Sequence, residues 1–150
     1  MWKIPPREKI YEALTAVADG RVKITGAHEA EVISSSGSTT YLVRFDDDIT
    51  RVASNDNASR WQGYLGYPIL AVLMVLGKLR YDPEAAMLLA GIPWKEINKK
   101  YRNDYANAVD SVLASCRERG VDVRKIEEEV DALWRQITAL ELEKLPGTRT

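Results

Sequence analysis

The chain has 150 residues, a formal net charge of −1 and charged side chains at 29%. That length fits one domain, or two small lobes on a shared core, and buries enough surface to be stable without metal or disulfide. The near-neutral balance excludes a global attraction to nucleic acid or anionic membrane, so any such contact must come from a local patch. With one cysteine, Cys116, no intramolecular disulfide can form, and Met1 to Pro6 lacks the apolar core of a secretory signal. Both features lead us to expect a cytoplasmic protein.

Pro5 and Pro6 lead into Arg7 to Ala18, where Ile10, Leu14 and Val17 share a face flanked by Tyr11 and Ala18. The spacing predicts a short amphipathic helix closed by Gly20. From Arg21 the period changes to two: Val22 and Ile24 alternate with Arg21 and Lys23. Strands are predicted there, over Ala30 to Ser34, over Thr39 to Phe45 (Tyr41, Val43 and Phe45 on one face) and over Ile49 to Ala53. Turns fall at Ser35–Ser38 and Asp46–Asp48. The pattern is an antiparallel meander with no βαβ spacing.

Ser54 to Asn57 offers capping side chains, with a short turn expected around Ala58 to Trp61. Pro68 suits the first position of a helix, Ile69 to Leu76 is an unbroken apolar run, and Gly77 is a C-terminal stop. Eight apolar residues fall far short of the roughly 20 needed to cross a bilayer. The run therefore predicts a central helix covered by protein on every side, and no membrane partner.

Asp82-Pro83-Glu84 is a strong helix start, for a short helix over Glu84 to Ala90 ended by Gly91. Pro93 opens a predicted long helix to about Arg119, with Ile97, Tyr101, Tyr105, Ala108, Val112 and Cys116 roughly aligned. Asp122 caps the last helix, whose Val123, Ile126, Val130, Leu133, Ile137 and Leu140 follow heptad spacing. The two long helices should form an antiparallel hairpin through Gly120-Val121, with a tail from Pro146-Gly147. Trp134, turned partly off the seam, has two destinations open to it: the body of its own chain or a second copy. The expected fold is α+β, a small antiparallel meander packed on a buried helix plus a C-terminal helical hairpin. Residues 1–81 and 82–145 are expected to pack into one globule.

Few residues are suited to catalysis. His28 is the lone histidine and adjoins a strand start, which reads as a surface or turn position; Cys116 falls on an inward stripe, as a packed thiol. Asp46-Asp47-Asp48 followed by Ile49-Thr50-Arg51 breaks the calcium-loop pattern at once and reads as a hairpin turn. No glycine-rich loop is present to cradle a phosphate. One cluster combines cations with aromatics near a helix start: Trp94, Lys95, Lys99, Lys100, Tyr101 and Arg102. Lysines there oppose the helix dipole and suggest an anionic partner. The other reading is a solvated face with Trp94 and Tyr101 turned inward.

The meander and core helix together resemble a SWIM zinc-finger domain, over about residues 21–79. The corresponding stretches are Tyr41 to Phe45, then Thr50 to Asp56, a loop over Asn55 to Leu65, and Gly66 to Leu73. In that family two β-strands carry Cys-x-Cys, and Cys-x-His opens an apolar helix. Here Val52, Ser54, Gly66 and Pro68 stand at the ligand positions, and none is a competent Zn²⁺ ligand. The resemblance implies binding of DNA or protein partners, and no catalysis. We therefore expect a zinc-free, non-enzymatic interaction module with no cofactor, contacting protein or nucleic acid through Trp94, Lys95, Lys99, Lys100 and Arg102. The alternative is an assembly protein that forms homodimers or larger oligomers through its terminal hairpin.

Overall fold

Alternation of period two and apolar runs of helical length divide the chain as its hydropathy requires. The computed structural model describes residues 1–146; of the tail expected from Pro146-Gly147, residues 147–150 lie outside the described residues. Its strands are β1 (Val22–Gly26), β2 (Glu29–Ile33), β3 (Thr40–Phe45), β4 (Arg51–Ser54) and β5 (Glu143–Lys144). Its helices are α1 (Glu8–Ala18), α2 (Tyr67–Val75), α3 (Pro83–Met87), α4 (Trp94–Lys100), α5 (Tyr105–Glu118) and α6 (Val123–Ala139), with a π-helical turn over Ala58–Gln62. The fold is α+β. Among the described residues, no helix is long and apolar enough to cross a membrane.

β1 to β4 form the antiparallel meander, with Ala30 opposite Val43, Val32 opposite Tyr41 and Phe45 opposite Val52. Alternation turns Ala30, Val32, Val43, Phe45 and Val52 inward onto α2. Every residue of α2 from Pro68 to Met74 is buried, because α2 lies between the sheet and α1. Gly77, at φ 81°, takes the left-handed conformation that ends the run.

The first helix departs from its expected amphipathic form. Residues Lys9 to Ala16 are all buried, since α2 covers one side of α1 while α3, α5 and α6 cover the others. Its polar residues are accommodated by internal bonds: Thr15 Oγ1 donates to the Leu89 carbonyl at 2.8 Å and accepts from Trp94 Nε1 at 2.8 Å.

The sheet also gains a fifth strand that the sequence pattern does not announce. β5 pairs parallel with β4, Glu143 N donating to Thr50 O and Leu145 N to Val52 O, each at 3.0 Å. Trp2 joins this edge, its Nε1 donating to Val52 O at 3.2 Å and its backbone N to Leu142 O at 3.2 Å. A two-residue strand has too few positions to show alternation.

The predicted long helix from Pro93 is two helices. Arg102 (φ 53°) and Asn103 (φ 62°) are left-handed, and Asp104 caps α5 by accepting from Asn107 N at 3.2 Å. Asparagine and aspartate tolerate that conformation and compete for backbone donors, so Asn103-Asp104 overrides the apolar spacing. Ile49, expected to open a strand, is also left-handed (φ 54°) and belongs to the turn, whose Asp46 carboxylate accepts from the Thr50 and Arg51 amides. α3 ends at Met87, short of the expected Ala90.

α5 and α6 form the helical hairpin, with Val123, Ile126, Val130, Leu133 and Ile137 buried along its seam. Trp134 packs partly buried on its own chain's core, and the Arg7 guanidinium lies 5.7 Å from its ring centre. Cys116 is fully buried, as its stripe position predicts. His28 is exposed at the β1–β2 turn and pairs with Asp47.

Candidate functional site: a cleft of aromatic and charged side chains

Where α1, the π-helical turn, α2 and α4 meet, they enclose an open cleft of about 890 Å³. Its floor is set by the buried first turns of α1. Lys9 Nζ lies 3.3 Å from Glu12 Oε2, and the two side chains, one turn apart, are 8% and 9% exposed. Asn98 Nδ2 from α4 donates to Glu12 Oε1 at 3.2 Å, and Lys9 Nζ sits 3.9 Å from the Tyr105 ring centre. Burial pushes the Glu12 carboxyl above its usual range, against the pull of Lys9. Burial alone would lower Lys9, but the Glu12 carboxylate and the Tyr105 and Tyr64 phenols outweigh it and hold the ammonium charged.

The walls are aromatic. Tyr41 from β3 and Tyr67 from α2 meet edge to face at 6.1 Å, and Tyr64 and Tyr105 join them. Burial raises the phenol of Tyr67 well above its ordinary range, and those of Tyr41 and Tyr64 less. Arg21 closes this side, donating through Nη1 to Ile33 O at 2.5 Å, with Nε 3.6 Å from Asp19. Trp61, on the π-helical turn, is 72% exposed at the rim, with the Arg60 guanidinium 5.2 Å from its ring centre.

A polar clasp fixes this rim to the sheet. Asp56 accepts from Ser54 Oγ at 2.5 Å, from Ser59 Oγ at 2.7 Å and from Ser59 N at 3.0 Å. Gly66 N then donates to Ser59 Oγ at 3.2 Å, joining the end of β4 to the start of α2. Ser54 and Gly66 are two of the positions that the SWIM resemblance aligns with ligands; Val52 and Pro68, the other two, are buried in the core. Among the described residues no group of three or more His, Cys, Asp or Glu is placed to hold a metal.

Three of the five residues expected to bind a partner line this cleft: Trp94, Lys95 and Lys99. Trp94 is only 3% exposed and serves as its floor, tilted against Tyr11 at 6.4 Å. Lys95 ties α4 to the β2–β3 turn, its Nζ donating to Ser38 Oγ at 2.9 Å and Thr39 Oγ1 at 3.2 Å. The Lys99 side chain makes no hydrogen bond or ion pair among the described residues. Lys100 and Arg102 lie outside the cleft, because the break after α4 carries the chain away: Lys100 faces the Tyr101 ring and Arg102 is in the left-handed turn. Sequence reasoning missed Lys9, Glu12, Arg21 and the aromatic series Trp61, Tyr64 and Tyr67. The three-residue spacing of the series was a visible signal, whereas Lys9 and Glu12 look like ordinary exposed helix charges.

Chemically the cleft can hold an anion, stack a planar group and hydrogen-bond it. It has no His or Cys among its lining residues, and Lys9 is held as the ammonium. Fold and site define an α+β protein with an open cleft lined by aromatic and charged side chains. The chain belongs to the family described as Uncharacterised conserved protein UCP014422, whose model matches residues 2–143. No curated protein and no solved structure matches it.

Proposed function

We propose that the chain is a non-enzymatic interaction module, a zinc-free relative of SWIM domains, and that the cleft between α1, α2 and α4 is its partner-binding surface. The observation that carries this reading is the convergence of the exposed Trp61 with Tyr64, Lys95 and Lys99 on one concavity. Large exposed aromatics beside cations are costly to leave in water and are favoured at contact sites. Self-association through the terminal hairpin is the weaker reading, because Trp134, its best anchor, packs on its own chain.

A photo-crosslinking residue placed at Gln62 in the full chain, inside the native cell, tests the proposal. Glu128, which lines a separate concavity, serves as the control position. A discrete adduct from Gln62 alone, lost in Lys95→Glu/Lys99→Glu, is the expected result. Equal adducts from both positions, or none from Gln62, overturns it.

A further inference from the structure

Resting on that reading of the cleft, we infer that its partner is single-stranded nucleic acid, with a base stacked on Trp61 and phosphates held by the lysines around it. Three kinds of group needed for a nucleotide are present together, with Lys95 Nζ held only by the Ser38 and Thr39 hydroxyls.

The first is a stacking face. Trp61 is 72% exposed, and Tyr64 and Tyr105 line the same cleft. Any base offers a π-face to such rings, and an unpaired strand leaves that face free, whereas a duplex buries it. The π-helical turn that carries Trp61 is a rare form that is frequent at functional sites.

The second is cationic charge without acidic neutralisation. Lys9 is matched by Glu12 and Arg21 faces Asp19, but Lys95 and Lys99, one turn apart on α4, make no ion pair among the described residues. In sequence, Gly63 lies between the lining residues Gln62 and Tyr64. Lys144 Nζ and the Lys3 side chain approach to 3.7 and 3.9 Å of where a Gly63 Cβ would stand. Cations therefore line the cleft on α4, and Lys3 and Lys144 stand beside the backbone between Gln62 and Tyr64. A single mononucleotide would not need both groups, but successive phosphates of a strand would.

The third is the pair of amides able to read a base edge. Asn57 and Gln62 line the cleft, and neither side chain makes a hydrogen bond among the described residues. Each offers a donor and an acceptor, as a base edge does.

Fluorescence anisotropy on the full chain tests this, with labelled thymidine and uridine oligonucleotides of about 15 nucleotides, a duplex of equal length and thymidine monophosphate as probes. Single strands should bind tightest, with an affinity that falls as salt rises. Trp61→Ala should weaken binding about 10-fold or more, the loss of one stacked base, at unchanged melting temperature. Lys99→Glu should lower both the affinity and the salt slope. Four results overturn the inference: no binding of either strand at about 50 mM salt, a duplex bound as tightly, a monophosphate bound as tightly, or full affinity in Trp61→Ala. A protein adduct at Gln62 together with no oligonucleotide binding would leave the cleft as the interaction surface and remove only nucleic acid as its partner.

Discussion

Gly66 and Asp56 are in direct contact: a Cβ added to Gly66 would stand 2.8 Å from Asp56 Cγ and closer still to one carboxylate oxygen. The glycine is not needed for its backbone, which is ordinary extended chain at φ −71° and ψ 166°. It is needed for space. The buried carboxylate collects three donors from Ser54 and Ser59, and only a residue without a side chain lets α2 begin against it. Gly66→Ala should therefore destabilise the protein by about 1–3 kcal/mol, the usual cost of overpacking. Chemical denaturation measures this, and an unchanged midpoint would mean that the clasp yields freely.

Leu70 and Leu73 are at most 1% exposed, between the sheet and α1. Truncating either to Ala should cost about 2–5 kcal/mol. A loss below about 1 kcal/mol at both would show α2 to be less enclosed than its position requires.

The Lys9–Glu12 pair predicts a dependence on pH. Removing the cation in Lys9→Met leaves a buried carboxylate without its partner, which costs about 3–5 kcal/mol when ionised. Burial already places the folded-state Glu12 above its ordinary 4.5, and loss of Lys9 raises it further. A group raised on folding favours the protonated form, so stability of Lys9→Met should be greatest below pH 4.5 and fall as pH rises through the folded value. Urea melts across this range check the sign. Adding Glu12→Leu should abolish that dependence.

Asp46 gives the opposite sign. Amides of Arg51 and Thr50 and the Thr50 hydroxyl donate to its carboxylate, holding it down at about 2 against an ordinary 3.8. The β3–β4 turn should be fully stabilised above pH 3.8 and loosen as pH falls through about 2. Carbon-detected titration of the Asp46 carboxyl reads the value, and Asp46→Asn should remove the dependence.

Trp134 packs on its own chain beneath Arg7. Trp134→Lys should lower the melting temperature and leave the mass in solution unchanged. A stable variant of halved mass would instead place Trp134 between two copies.

The sequence alone determined the elements whose burial follows from their own period. The meander is legible because Tyr41, Val43 and Phe45 alternate, α2 because eight apolar residues follow Pro68, and the α6 stripe because heptad spacing has few other meanings. Tertiary structure alone decided the rest. Lys9 and Glu12 look like solvated helix charges until α2, α3, α5 and α6 surround α1 and leave them each other and Asn98. β5 is a strand only because Glu143 and Lys144 return to the β4 edge. The cleft joins residues from α1 to α5, so no local pattern contained it; Lys95 and Lys99 entered it while Lys100 and Arg102 did not, because the left-handed Arg102 and Asn103 turn the chain aside. Period is a property of neighbours in sequence, whereas desolvation and charge pairing depend on which distant segments fill the space around a side chain.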